Sequence, residues 1–204
     1  MSEVQSKQDF LSAIAARRSI YGISKERIVS EERIEEVIAY AVKHTPSSFN
    51  SQTARVVVLF GEQQDKLWNI VTETLRAIVP ADQFEATQSR MNTLSAGYGT
   101  VLFFEDQDVI KGLQEQFSSY KDNFPIWSNQ SNGMLQLVIW TALEQEGLGA
   151  SLQHYNPLID AEVTKEWNLP ASWQLVAQMP FGKPVADPSV KEFQPVDARI
   201  KVFK

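Results

Sequence analysis

The stretch that decides the fold is residues 44–60, HTPSSFNSQTARVVVLF. Pro46 ends whatever precedes it, because a proline drives the residue before it, here Thr45, out of the helical region. Reading backwards, Ile34, Val37, Ile38, Ala41 and Val42 recur at helical spacing. Ser30 is their N-cap, and Glu31 and Glu32 complement the positive end of the helix dipole. Reading forwards, 55–60 is RVVVLF, rich in the β-branched residues of a buried strand. Between the two lie Ser47, Ser48, Asn50, Ser51 and Gln52, uncharged hydrogen-bonding side chains at the mouth of a core strand. A helix-to-strand turn accounts for them, since Pro, Ser and Asn dominate turns. So does a site for the edge of a heteroaromatic ring, which presents donors and acceptors together. From these residues alone both readings remain open.

The alternation of helix and strand continues outward. Residues 9–18 form a short helix with Phe10, Leu11, Ile14 and Ala15 on one face. After the strand, 63–79 carries the apolar stripe Leu67, Ile70, Val71, Leu75 and Ile78, and Pro80 ends it. A second helix spans 82–94, a strand 99–104 and a short helix 109–119. The segment SYKDNFPIW reads as a loop with aromatics. The longest helix, 128–145, is apolar around much of its girth, which marks a central helix or a subunit contact. ASLQHY and SWQLVAQMPFG read as strands, DAEVTKEW as a short helix, and 183–204 as largely irregular. The fold class is α+β, with three or four strands, six or seven helices and a single domain over 1–204.

Composition narrows the function classes. The net charge of -6 lacks the basic face that a duplex nucleic acid requires. With no cysteine, disulfides, zinc–thiolate sites and thiol catalysis are excluded, so redox work needs a bound cofactor. The two histidines have no partner at ligand spacing, and no metal site is expected. The polar N-terminus is not a signal peptide, and the apolar runs VVVLF and VLFF are too short to span a bilayer. A cytoplasmic protein with neither membrane nor nucleic-acid partners is expected.

No phosphate-binding glycine turn of the dinucleotide or P-loop kind is present, and no nucleophile elbow. Two further polar clusters remain. In ARRSIYG, Arg17, Arg18 and Ser19 follow an apolar helix; guanidinium forks and a hydroxyl suit a phosphate, and basic residues in a last turn also suit the helix dipole. The C-terminal third holds SLQHYNP, with Gln153, His154 and Tyr155, then PFGKP, with Lys183, and DPSVKEFQP, with Lys191. Lys191 adds positive charge to a phosphate site or is a solvated surface residue.

Together AARRS, PSSFNSQ, GLGASLQHYNP and PFGKP…K, in this order over nearly the whole chain, resemble the FMN-dependent nitroreductase family. The short chain and PSSFNSQTARVVVL are similar to its branch of fatty-acid-repression-mutant and copper-induced nitroreductases. The resemblance implies a central, mostly antiparallel sheet flanked by helices, in an intertwined homodimer with FMN at the subunit interface. It assigns Arg17, Arg18 and Ser19 to the phosphate and ribityl chain. Pro46, Ser47, Ser48, Asn50 and Gln52 would reach the flavin ring of the partner subunit. Gln153 and His154 would lie at the N5 edge, with a backbone N–H of one of them bonding N5, and Lys191 would face the phosphate.

The resemblance further implies that NADH or NADPH reduces the flavin, which then reduces nitroaromatics or quinones in a ping-pong scheme, with no catalytic side chain. The alternative is a flavin-binding redox sensor with little turnover. This sequence departs from the family at Tyr21 and Phe193, where basic residues are common, and at Gln153-His154, where Glu-Gly is common. Arg90 and Asn92 are candidates for the middle-segment ring contact. Phe124, Trp127 and Tyr155 are candidate walls of a substrate cavity.

Overall fold

The computed structural model describes residues 9–204; the N-terminal stretch 1–8, on which much of the signal-peptide reading rests, lies outside them. In chain order the elements are α1 (Phe10–Ala16), β1 (Ile23–Ser24), α2 (Glu31–His44), β2 (Ala54–Phe60), α3 (Gly61–Arg76), α4 (Phe84–Ser95), β3 (Gly99–Asp106), α5 (Gln107–Gln116), α6 (Phe124–Gln145), β4 (Gly149–Ala150), α7 (Asp160–Glu166) and β5 (Trp173–Pro184). No described helix is long and apolar enough to cross a membrane.

The strands form one antiparallel sheet in the order β1-β5-β3-β2, with β4 also paired to β5. Its centre is β3, buried along its whole length. Side chains alternate along a strand, so β3 feeds two cores. Val101 and Phe103 face α2 and α6, among Ile34, Ile38, Leu135, Ile139 and Leu143. Leu102 and Phe104 face the other way, among Leu67, Trp68, Val71, Met91, Leu94 and Val163 of α3, α4 and α7. A register shift between Phe103 and Phe104 accommodates an extra residue of β5.

The 44–60 stretch folds as its residues dictate. Ser30 Oγ accepts the Arg33 N–H and caps α2. The helix ends at His44, ahead of Pro46, and β2 begins at Ala54. The largest difference from expectation is at α6, which starts at Phe124 rather than Ser128, within the segment read as a loop. Pro125 sits in the first turn, where its missing N–H has no intrahelical acceptor to lose, so the residue that suggested a loop starts the helix instead. ASLQHY is not a continuous strand: only Gly149–Ala150 pairs as one, and Gln153 makes an isolated bridge to Gln178. The two-residue β1 was not anticipated, being too short to show periodicity. The apolar stripe expected of α1 is not buried within the chain: Phe10 and Leu11 are about three-quarters exposed, and only Ala13 is covered.

Candidate functional site

Three segments that are far apart in sequence meet around β4. Residues Arg17–Ser19 leave α1 and run alongside it: Ser19 bridges Ala150 in parallel, and the Ile20 N–H donates to Ala150 O at 2.9 Å. Gly149 permits this close approach, since a Cβ there would lie 2.7 Å from Ile20 Cγ2. The third segment is the tail, tied in by a hydrogen bond from Arg18 Nη2 to the Ser189 carbonyl. Lys191, two residues further on, is exposed, with its ammonium 5.3 Å from the Phe193 ring centre. The tail is otherwise irregular, as expected, apart from one short turn at Val196–Ala198.

Arg17 is the electrostatic centre of this cluster. Its guanidinium stacks over Trp140 of α6 at 4.3 Å. Burial, and then the adjacent Arg18 charge, push it below the ordinary arginine value. Among the described residues, Arg17 Nε and Trp140 Nε1 are both buried donors without an acceptor. Unpaired buried donors are destabilising on their own. Side by side with a second arginine, they make a place that favours an anion rich in acceptor oxygens.

Gln153 is buried and lies two residues beyond Ser151. Its side chain accepts from Arg90 Nη2 at 3.0 Å and donates to Ser151 Oγ at 3.0 Å. Arg90 rather than Asn92 is therefore the α4 residue that reaches this region. Asn92 instead joins Gln88 and Arg76 in an open groove of about 620 Å³ on the outside of α3 and α4. Of the two backbone donors expected at this edge, only one is open. The Gln153 N–H donates to Gln178 O at 2.7 Å, completing a bridge, so it is not free to serve a ligand. Exposed His154 has no intrachain hydrogen bond among the described residues and is the remaining backbone donor at this edge. Tyr155 packs edge-on against Trp68 at 5.9 Å and belongs to the core rather than to a cavity wall.

The Pro46–Gln52 loop lies elsewhere, at the opposite end of α6. Its backbone is unusual: Phe49, Asn50 and Gln52 have φ of 58°, 51° and 49°. Left-handed conformations cost a non-glycine residue roughly 1–2 kcal/mol each and persist where the surroundings impose them. Here Ser47 Oγ accepts the Gln52 N–H at 2.9 Å, and the Arg55 guanidinium donates to Gln52 O at 2.7 Å. Phe49 then projects into an aromatic cluster with Phe117, Tyr120, Phe124 and Trp127, ring centres 5.0 to 6.0 Å away. Phe124 is itself buried, while Phe49 is about half-exposed. Pro46, Ser47 and Gln52 also line a groove of about 450 Å³ between α2, β2 and α6.

Phe49 was not singled out from the sequence. Its only signal is a large apolar residue among turn residues. The two half-sites are anchored on Trp140 and Trp127, about 20 Å apart along α6 at a rise of ~1.5 Å per residue. Among the described residues no hydrogen bond joins Arg17–Ser19 to the loop.

Residues 14–183 match the nitroreductase family. The protein HBN1 of Saccharomyces cerevisiae is 36% identical over 94% of this chain and 96% of its own length. The nitroreductase FRM2 of the same yeast is 32% identical over 91% and 93%. The nitroreductase CinD from Lactococcus lactis, in its complex with nicotinic acid, is 47% identical and superposes with a TM-score of 0.90 over 96% of this chain and all of CinD. Its complexes with chloramphenicol and with 4-nitrophenol superpose with a TM-score of 0.89. With the same fold, the same branch of relatives and nearly full-length coverage, the chain belongs to the nitroreductase family of oxidoreductases.

Proposed function

We propose that the chain is an FMN-dependent oxidoreductase that uses NADH or NADPH to reduce nitroaromatics or quinones, working as a homodimer with FMN between subunits. The observation that carries this reading is the pair of buried, acceptorless donors, Arg17 Nε and Trp140 Nε1, beside Arg18. They fit the acceptor-rich phosphate and ribityl chain of FMN, and among the described residues they have no partner. Arg17, Arg18 and Ser19 would hold that end, with Lys191 adding charge from a tail already tied to Arg18. Arg90, Gln153 and the His154 N–H would face the polar edge of the ring. Bound FMN supplies a ring that accepts a hydride from the nicotinamide and passes it to the second substrate, so one shared position serves both and ping-pong kinetics follow.

The dimer is supported by what a single chain leaves uncovered. Phe10 and Leu11 of α1, Tyr40 of α2, and Ile126, Met134, Leu137 and Val138 of α6 are all exposed. Apolar surface of this extent marks a protein interface. The separation of the two half-sites along α6 supports a loop that serves the partner's flavin rather than its own. Ser48, Asn50 and Gln52 would present uncharged donors and acceptors to that ring. CinD, similar over its whole length, binds nicotinic acid and 4-nitrophenol, which supports planar aromatic substrates here.

The test is titration of FMN fluorescence by the purified chain, followed by steady-state oxidation of NADH and NADPH with a nitroaromatic, a quinone or neither. Saturable quenching and acceptor-dependent turnover are expected. Quenching with rates no higher than free FMN would replace the enzyme with the redox-sensing alternative. No quenching would remove both.

A further inference from the structure

Beneath the loop lies a buried acid that none of the steps above uses. Glu105 extends the inward alternation of β3 beyond Val101 and Phe103 and points at α6. It is only 1% exposed, and so is Thr53, the first residue after the loop. Asn132 of α6 donates to Glu105 Oε1 at 2.8 Å and to Phe104 O at 3.1 Å, and Gln136 donates to Asn132 Oδ1 at 2.7 Å. Glu105 Oε2 and Thr53 Oγ1 are both buried, and neither has a hydrogen-bond partner of good geometry among the described residues, although the Thr53 side chain is near enough to act on the Glu105 carboxyl. The Thr53 backbone is fixed to the same strand, its carbonyl accepting from the Asp106 N–H at 3.0 Å.

We propose that Glu105 is a positioning residue which, as a neutral carboxylic acid, donates its proton from Oε2 to Thr53 Oγ1 and so clamps the Ser48–Gln52 loop to α6 in its left-handed shape. A proton on Oε2 satisfies both orphaned oxygens with one bond, while Oε1 keeps its bond from Asn132. An ionised carboxylate has no donor at Oε2 unless the Thr53 hydroxyl turns toward it, and its charge stays in the core.

The groups around it decide which form holds. Burial raises the Glu105 carboxyl above its ordinary value; Thr53, Asn132 and the Arg55 charge oppose this more weakly, and Asp106 adds to it. Arg55, on β2, is largely committed elsewhere: it is paired to Asp106 Oδ2 at 3.0 Å and bonded to Gln52 O. Asp106, on β3, is the other charge. The residues opposite on β2 and β5, Ala54 and Gln174, are uncharged, as are Asn132 and Gln136 on α6. Because the folded value is raised, the neutral acid's contribution is complete below the ordinary carboxylate range and is lost as pH rises through the raised value.

The proposal rests on the loop's role at the flavin ring, so the experiment reads the loop and the flavin separately. Amide hydrogen exchange of residues 48–53, corrected for intrinsic pH dependence, is measured from pH 5 to pH 9 alongside FMN titration. Relative to Glu105→Gln, loop protection in the wild-type chain should fall and the FMN Kd should rise by about threefold to tenfold across this range, within the limit of tenfold per pH unit that one proton allows.

In Glu105→Gln the amide donates to Thr53 and its oxygen accepts from Asn132 at every pH. The loop should therefore keep its low-pH protection across the range. Thr53→Val removes the acceptor while keeping the shape and should weaken loop protection already at the low end of the range; Thr53→Ser should restore it. If wild type and Glu105→Gln share one loop-exchange profile, or if Thr53→Val leaves the loop protected, the proposal is overturned. Absence of FMN binding by the wild-type chain, with the exchange pattern intact, would overturn the flavin reading and leave the clamp standing.

Discussion

The two ends of α6 carry the two polar clusters that stand out in the sequence, and they are built on opposite plans. At the C-terminal end, Arg17 stacks over Trp140 with its Nε shielded from water and, among the described residues, without an acceptor, so the cluster is electrostatically unfinished. At the N-terminal end, the Pro46–Gln52 loop is internally bonded, with Ser47 holding the Gln52 N–H and Arg55 holding the Gln52 carbonyl. Its cost is conformational instead, three non-glycine residues with positive φ. A site that grips charge is made by withholding a partner. A site that presents a ring edge is made by fixing backbone shape, so that neutral side chains point outward together.

The largest effect should come from the unfinished end. Arg17→Ala removes the charged donor that the phosphate would engage, a bond worth about 1.5–3 kcal/mol, so the FMN Kd should rise about 10- to 150-fold. Fluorescence titration measures it, and an unchanged Kd would erase the contrast between the two ends. Arg17→Lys sharpens it: a point charge without the fork should recover only part of the affinity.

Next comes Phe49→Ala at the shaped end. It removes a half-exposed ring from four aromatic neighbours, and a destabilisation of about 1–3 kcal/mol is expected by chemical denaturation. The Arg17 end, some 20 Å away along α6, should keep its contacts. A stability loss under about 0.5 kcal/mol would mean that the rings do not hold the loop.

Smallest is Gln52→Gly. Relief of left-handed strain, about 1 kcal/mol, is offset by the greater backbone entropy glycine loses, about 0.5–1 kcal/mol. The side chain's intrachain bond, to Asn50 O, is a long 3.3 Å. Stability should therefore stay within about 0.5 kcal/mol while the amide proposed to face the ring is lost. A drop of more than about 1 kcal/mol would show that the Gln52 side chain supports the loop rather than a ligand.

Much of this is legible in the sequence. Periodicity placed the main helices and the central strands because a stripe or an alternation must face a core, and Ser30 and Pro46 bound α2 by local backbone chemistry alone. What stayed hidden was decided by tertiary contact. Pro125 reads equally as a loop residue and as a helix start. The α1 stripe reads as core, yet within one chain Phe10 and Leu11 face outward. At the site, residue types identified the arginines, but nothing in the spacing could choose Arg90 over Asn92; that follows from which side of α4 faces Gln153. Glu105 was within reach: continuing the alternation of GTVLFFED by one step places its carboxyl inside.

The Ser189 carbonyl on Arg18 has a last consequence. A long flexible side chain ordinarily surrenders its rotamer freedom when a guest arrives. Here that surrender happens earlier, as the polypeptide closes its C-terminal arm over its own amino-terminal turn. Should an anion dock there as proposed, it would meet a hand already open and aimed, and association would be correspondingly quick and selective.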